Sequence, residues 1–305
     1  MDSIGSTSTL RSRLMPSMAL LRHDLRTLWG SWLERLWFAT SALLTFFLLT
    51  ANWGKFQTAP LIASLLFPYL VFPWFLVAVV LGVSPVSGSR AEALADGFLS
   101  RPVTRYEYLF AAWAARVLTV VGTYLAVIVP AVVLAVFANR PVADDAVTVY
   151  GVLGSLGVVS LVLTLLVSLG FLLGTLLRRP LLSVVVLIFV WVPINLILNT
   201  FSLEELSPIS LNQAIPTLLR QPWSEAEPDT EEPLGDDEAE IYAQQAAAVV
   251  NWLAGAQSPP PQSKNDFLHR DNYEDFSLLR VLLGYGIPTL AAVALATLCF
   301  CSRDL

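Results

Sequence analysis

The sequence predicts an all-α polytopic membrane protein, formed by a single transmembrane domain over residues 1–305. Hydrophobic residues make up 55% of the chain and charged residues 14%, against about 45–50% and about 25% in soluble domains. The mean hydropathy is +0.65. A water-soluble fold cannot hide so much apolar surface, whereas a protein embedded in a bilayer turns apolar side chains toward lipid. Segments of membrane-spanning length and a one-sided arginine distribution point to the same class.

Six segments reach or approach the length of a transmembrane helix. A helix needs about 20 mostly apolar residues to cross about 30 Å of hydrocarbon. The predicted spans are residues 36–53, 60–83, 108–137, 147–177, 180–203 and 278–300. The first 20 residues lack the apolar core of a cleaved signal peptide, so we expect the first span to be a permanent anchor.

The segment before the first span, residues 16–35, is predicted to form an amphipathic helix in the membrane interface. Its apolar face comprises Leu21, Leu25, Leu28, Trp29, Trp32 and Leu36. Its polar face comprises Arg22, His23, Arg26, Glu34 and Arg35. Such a helix serves as a surface anchor, as an elbow that meets a cytosolic partner, or as both.

The distribution of lysine and arginine predicts the orientation, because these residues are enriched in cytoplasmic loops. With six crossings, both termini lie on one side. If that side is the cytoplasm, it holds 11 basic residues: Arg11, Arg13, Arg22, Arg26, Arg35, Arg90, Arg101, Arg105, Arg178, Arg179 and Arg303. The other side holds five: Lys55, Arg140, Arg220, Lys264 and Arg270. We therefore predict a multi-pass protein of the plasma membrane, the inner membrane in a bacterium, with both termini cytoplasmic.

The cytoplasmic loop of residues 84–106 contains signals for a short, stiff helix. Ser89 and Glu92 form a capping box at its start, and Gly97 suits a left-handed position at its end. Pro102 then blocks any continuation of this helix. A short helix joined closely to a transmembrane helix can transmit force between the cytoplasm and the membrane.

The exterior loop of residues 202–277 carries 15 of the 24 acidic residues. Prolines interrupt its acidic part, and residues 237–257 have the composition of a helix that ends before the prolines at 259–261. A cation-binding or substrate-capturing patch is one interpretation of the acids. A solubilising linker is favoured, because acidic runs without fixed geometry seldom form a calcium site.

The spans carry almost no ionisable groups. Within the predicted spans the candidate for an intramembrane charge is Arg116, which we expect to snorkel to the interface or to pair with Glu107. Ion-coupled transporters and channels usually need buried acidic or histidine side chains in their spans. A proton- or sodium-driven mechanism is therefore disfavoured.

The chain also lacks the motifs of an ATPase or another enzyme. Its one Gly-Lys pair, Gly54-Lys55, precedes Phe56 and does not form a phosphate-binding loop. His23 and His269 are predicted on opposite sides of the membrane, and the two cysteines form no framework, so we expect no metal site. We predict that the chain binds no cofactor and no nucleic acid, and that a partner supplies any energy.

Residues 90–107, RAEALADGFLSRPVTRYE, resemble a signature of the ABC-2 type permease family. In that family an acidic residue and a glycine precede "(S)RPVSR" in the cytoplasmic loop after the second span. Thr104 stands in the place of the usual serine and keeps its hydroxyl. LRHDL at 21–25 and FCSRDL at 300–305 are similar to the family's terminal motifs. The resemblance covers the six-span plan except for an acidic insertion at 223–275.

The resemblance implies a transmembrane subunit that forms a homodimer, or a heterodimer with a second permease, and carries cytosolic ABC ATPase subunits. ATP and Mg²⁺ would bind in those partners. By position, the ATPase-coupling residues would be Glu92, Gly97, Arg101, Pro102 and Arg105. The elbow helix, with Leu21, Leu25, Trp29 and Trp32, would also contact the ATPase. A re-entrant exterior segment would include Pro208 and Pro216.

Two functional interpretations follow. The first is the permease subunit of an ABC-2 type exporter, which forms the transmembrane pathway and couples to a separate ATPase. The alternative is a non-transporting membrane scaffold that assists assembly of an extracytoplasmic or surface protein complex. The family's substrates include lipids, polysaccharides, antibiotics and ions, and the sequence leaves the choice among them open.

Overall fold

The structure, a computed structural model, describes residues 5–70, 105–138, 140, 145, 147–177, 181–189, 207–220 and 277–301. All of them belong to one compact unit, Met1–Arg220 with Phe276–Leu305. Of the predicted exterior loop of residues 202–277, only residues 207–220 and 277 are described, and the helix predicted at 237–257 lies outside the described residues. The described residues form helices and no strands.

Eight helices follow one another in the described part of the chain. They are α1 (Gly5–Gly30), α2 (Trp32–Asn52), α3 (Thr58–Leu70), α4 (Arg105–Phe137), α5 (Val149–Leu176), α6 (residues 181–189), α7 (Pro208–Arg220) and α8 (Leu278–Cys301). Four of them, α2, α4, α5 and α8, are long and apolar enough to cross a membrane. The prediction of a helical membrane protein is confirmed at this level. The predicted spans at 60–83 and 180–203 are represented by α3 and α6, and their remaining residues lie outside the described part.

The polarity of α2 is the reverse of that of a surface helix in a soluble protein. Its buried side chains include Glu34, Ser41 and Thr45. Large apolar side chains are exposed on its other side, namely Leu33, Leu36, Phe38, Leu43, Phe46 and Phe47. An apolar outer surface around a more polar interior is the arrangement that hydrocarbon surroundings favour.

Helix α5 lies at the centre of the bundle. Its most apolar stretch is 61% buried, against 28% in α2 and in α8. α5 packs against α3, α4, α7 and α8. The core is formed mainly by aliphatic side chains, and a smaller cluster of Leu109, Ala112, Phe171, Ala296 and Phe300 closes one end.

Contacts between helices fix their relative directions. Trp113 of α4 contacts Ser168 near the end of α5, so these two helices are antiparallel. Leu278 lies near Gly154, while Phe300 packs with Phe171, so α8 runs parallel to α5. These directions agree with the predicted topology, in which the third span runs from the cytoplasm to the exterior and the fourth and sixth spans run back to the cytoplasm.

The segment predicted as one amphipathic helix, residues 16–35, is divided between α1 and α2. Ser31 separates them and caps α2, because its hydroxyl accepts a hydrogen bond from the backbone N–H of Glu34 at 3.2 Å. α1 packs lengthwise against α4, with the Trp29 ring 3.9 Å from the position of a Cβ on Gly122.

The two faces predicted for this segment are only partly correct. Leu21 and Leu25 are half-buried, but Trp29 and Trp32 are exposed by 52% and 78%. Glu34, which we assigned to the polar face, is buried with 4% exposure. The physical reason is that contact with α4 determines which side of the segment is buried, whereas the prediction assumed a boundary between water and lipid.

Candidate functional site

Most of the predicted ATPase-coupling residues fall in a part of the chain that the structure does not describe. Glu92, Gly97, Arg101 and Pro102 lie outside the described residues, and Arg105 is the first residue of α4. α4 has 33 residues, and at a rise of about 1.5 Å per residue it is about 50 Å long. The predicted coupling loop therefore leads directly into a helix that runs the full length of the bundle.

Three clusters of polar side chains lie along the bundle in the described residues. The first, which we call the Arg116 cluster, contains Asp24 and Arg116, with the pair of Trp113 and Ser168 about one helical turn away along α4. Arg116 is buried, and its guanidinium donates a hydrogen bond to the carbonyl of Ala112. Trp113 Nε1 donates to Ser168 Oγ at 2.9 Å.

The carboxylate of Asp24 on α1 is near enough to interact with the charge of Arg116, but the two side chains form no ion pair within 4 Å. Burial raises the pKa of Asp24, while the positive charges of Arg116 and His23 oppose this rise. Arg116 is 8% exposed and therefore does not snorkel to the interface, which was one of the two outcomes that we predicted; that prediction left out α1, which packs against α4. Sequence reasoning missed Asp24 as a partner, since 92 positions separate it from Arg116.

The second group, the Glu34 cluster, lies between α2, α3 and α4. The Thr123 hydroxyl donates a hydrogen bond to Glu34 Oε1. Glu34 Oε2 is buried and has no hydrogen-bond partner among the described residues. On the same side of α2, Thr45 lies beside the hydroxyl of Tyr69, whose ring packs edge-on against Tyr124 at 4.9 Å between centroids.

This cluster corrects the prediction that the spans carry no buried acid, because the first candidate span, Trp32–Asn52, includes Glu34. Glu34 precedes the predicted start of the first span at residue 36, so it was left outside the membrane. One signal could have found it. Glu34, Trp37, Ser41, Thr45 and Leu49 recur every three or four positions, which places them on one face of a helix, and this face is the buried one.

The third group, the Asp145 cluster, contains Gln57, Thr58, Arg140, Asp145 and Arg220 and lies at the opposite end of the bundle from Arg116. The carboxylate of Asp145 accepts hydrogen bonds from the backbone N–H groups of Thr58 and Ala59, both at 2.7 Å. These N–H groups open α3, where a negative charge also interacts favourably with the helix dipole. Asp145 thus caps a helix that lies 86 positions away in sequence.

Two arginines complete the Asp145 cluster. Arg140 Nη2 donates to Thr58 Oγ1 at 2.8 Å, Nη1 donates to the Phe56 carbonyl at 3.2 Å, and the guanidinium lies over the Trp53 ring at 5.3 Å. Arg220 Nη2 lies 3.5 Å from Asp145 Oδ2. Together these contacts join the connection between α2 and α3 to the ends of α4 and α7.

The electrostatics of Asp145 follow from these contacts. Partial burial favours the neutral carboxyl, but the N–H groups of Ala59 and Thr58 and the nearby Arg220 favour the carboxylate, and the pKa of Asp145 is lowered overall. The side chain of Asp145 is 6% exposed and that of Arg220 44%. The hydrogen bonds to the helix start are therefore the shielded part of the interaction, and the ion pair is the part that salt screens.

The segment predicted to be re-entrant forms α7. Pro208 is its first residue, where a missing N–H is tolerated, and Pro216 lies within it. Its apolar face, with Leu211, Ile215, Leu218 and Leu219, belongs to the core.

The C-terminal turn of α7 contacts the start of α5 directly. The backbone N–H of Thr148 donates to the Leu219 carbonyl at 2.9 Å. Gly151 permits this approach, since a Cβ there would lie 2.5 Å from Leu219 Cα. Whether α7 dips into the membrane stays a prediction, because the contacts fix its neighbours and not its depth.

In the described part of the chain, the contacts of these clusters join helices to one another. No group of three or more His, Cys, Asp or Glu side chains there is placed to hold a metal ion. No family model matches the chain, and no curated protein matches it. The family resemblance therefore depends on residues 90–107 and on the two terminal motifs.

Proposed function

We propose that this chain is the permease subunit of an ABC-2 type exporter and couples to a separate cytosolic ATPase. The observation that carries the proposal is the signature at residues 90–107, whose last three residues are the first three of α4. Movement of that loop would act on the start of a helix that packs against α1, α2, α3 and α5. A displacement produced by ATP hydrolysis would thus reach most of the bundle.

The proposal also accounts for the source of energy. The sequence contains no phosphate-binding loop, so nucleotide hydrolysis must come from another polypeptide. Glu34 is an acid within the bundle, but its described partner is a threonine and not a second ionisable group. A proton relay needs a chain of titratable or hydrogen-bonding groups that reaches water.

The first experiment identifies the partner. The tagged full-length chain is purified from its native membrane in mild detergent, and the bound proteins are identified by mass spectrometry. We expect an ABC ATPase and ATP hydrolysis by the complex, and none by the chain freed of other polypeptides. Partners that lack a nucleotide-binding domain would favour the scaffold instead.

The second experiment tests coupling with the variants Glu92→Ala and Gly97→Val in the reconstituted complex. We expect both to reduce ATP hydrolysis at equal membrane abundance, because each disturbs the short helix predicted between capping box and glycine. Thr230→Ala, in the acidic exterior loop, is the control. Variant activities equal to that of the wild type would show that this loop does not couple the chain to the ATPase. Uptake or efflux that survives loss of the ATPase but stops with a protonophore would overturn the proposal.

A further inference from the structure

An open groove of about 630 Å³ lies between α1 and α4. It is lined by Arg22, Leu25, Arg26, Trp29 and Leu118. Arg22 and Arg26 are four residues apart on α1, and so are Leu25 and Trp29, so that each pair forms a short stripe along the helix. The groove therefore offers a cationic stripe beside an apolar one.

The tryptophans beside the groove and the start of α2 indicate that the groove lies at the boundary between headgroups and acyl chains. Trp29 and Trp32 are exposed on either side of the break at Ser31, where the membrane-spanning helix α2 begins. Tryptophan is enriched at this depth in membranes. Arg26 and Arg22 precede Trp29 by three and seven residues, which is about 5 and about 11 Å along a helix. The arginines thus lie on the headgroup side of the tryptophans.

The charges of the groove are not balanced within the described part of the chain. Neither Arg22 nor Arg26 forms an ion pair there. Asp24 is the acid closest in sequence, but it is half-buried and interacts with Arg116. His23, the remaining titratable group of this turn, can only add positive charge. An occupant with a negative headgroup would complement these arginines.

The exposed side of the groove is apolar. Leu118 is 50% exposed and Trp29 is 52% exposed, and the Trp29 ring lies over Gly122, where no side chain displaces it. A hydrocarbon chain can therefore follow Leu25, Trp29 and Leu118 while its polar end stays beside the arginines.

We propose that this groove binds one anionic phospholipid. The guanidinium groups of Arg22 and Arg26 donate hydrogen bonds to its phosphate, for which their planar geometry is suited. One acyl chain packs along Leu25, Trp29 and Leu118. The bound lipid also fills the open space between α1 and α4, so it stabilises the packing of α1. This inference does not depend on the proposed function.

The test measures binding of phosphatidylglycerol to the full-length protein by native mass spectrometry, with phosphatidylcholine as the zwitterionic comparison. Each arginine in contact with the anionic headgroup contributes about a fivefold change in affinity, so we expect about a thirtyfold loss for Arg22→Gln with Arg26→Gln. Arg35→Gln is the matched control, because Arg35 is exposed at the same boundary and does not line the groove. We expect it to change binding by less than about twofold.

Two further measurements separate the outcomes. Glycerol 3-phosphate in excess should not displace the lipid if the acyl chain contributes, and displacement would indicate a soluble phosphate ligand instead. Brominated phosphatidylglycerol in nanodiscs should quench the fluorescence of Trp29, detected as the difference between the wild type and Trp29→Phe. Equal binding of the two lipids, an equal loss in Arg35→Gln, or no quenching that depends on Trp29 would each overturn the proposal.

Discussion

Glu34 and Asp145 are both acids that hold two elements together, but their surroundings differ. Asp145 accepts two backbone hydrogen bonds at the start of a helix and lies near an arginine. Glu34 has one described partner, a threonine hydroxyl. A buried acid that lacks a cation is costly to keep ionised. The two residues should therefore respond in opposite ways to replacement by the isosteric amide.

For Glu34 we expect Glu34→Gln to preserve or raise the thermal stability of the purified protein, because the amide oxygen still accepts from Thr123 and carries no charge. Glu34→Ala removes the acceptor and leaves a void, and we expect it to cost about 2–4 kcal/mol. Thermal unfolding in detergent measures both. A double variant that combines a substitution of Glu34 with Thr123→Val tests whether the two side chains act as a pair. If they are in contact, the two losses of stability are not additive. A larger loss for Gln than for Ala would contradict this account.

For Asp145 we expect Asp145→Asn to lower the stability by about 1–3 kcal/mol at neutral pH, because an amide cannot accept from both N–H groups as a carboxylate does. The folded pKa lies below the ordinary value of 3.8. The stabilisation is therefore fully present above that value and is lost as the pH falls through the folded pKa. Unfolding measured from pH 7 to pH 3 should show the difference between the two proteins shrinking below about pH 4. A difference independent of pH would mean that the charge has no role.

At the scale of the elements, α7 packs so closely on α5 that the contact requires a glycine at position 151. Gly151 has no room for a side chain beside Leu219, whereas a Cβ on Gly157 of the same helix meets nothing within 4 Å. The two glycines thus form a matched pair, one of which is required for packing.

We expect Gly151→Ala to displace the end of α7 and to destabilise the protein by about 1–3 kcal/mol, the usual cost of overpacking. Gly157→Ala should be neutral, or stabilising by up to about 1 kcal/mol, because alanine favours the helix. Hydrogen exchange at residues 208–220 reports the displacement separately from global stability. Equal effects of the two substitutions would show that α7 does not pack on Gly151.

The sequence predicts where helices lie better than it predicts what they touch. Apolar runs of about 20 residues locate α2, α4, α5 and α8, because length and hydropathy are local properties. The pairing of Glu34 with Thr123, the interaction of Asp24 with Arg116 and the capping of α3 by Asp145 involve residues about 90 positions apart. No periodicity encodes such a pairing. The break at Ser31 lay within reach of sequence analysis, since Ser31 with Glu34 has the spacing of a capping box.

For the whole molecule, the directions of the helices put the Arg116 and Asp145 clusters at opposite ends. The arginine bias predicts that the Arg116 end is cytoplasmic. We expect single cysteines at position 100 to be protected from an impermeant thiol reagent in intact cells, and cysteines at position 258 to be labelled. Cys299 and Cys301 are first replaced by serine, and permeabilised cells provide the control. The reverse labelling pattern would invert the topology.

The polar inner face of α2 makes the biogenesis of this protein depend on the order of synthesis. α2 is the least apolar of the four membrane-spanning helices in the described residues, and Thr123 emerges 89 residues after Glu34. At about 5–20 residues per second, the ribosome needs about 4 to 18 s to make that stretch. During this interval the carboxyl and hydroxyl groups of α2 face lipid, the translocon or a chaperone. Nascent chains that end after α2 should therefore integrate into membranes less efficiently than chains that extend through α4.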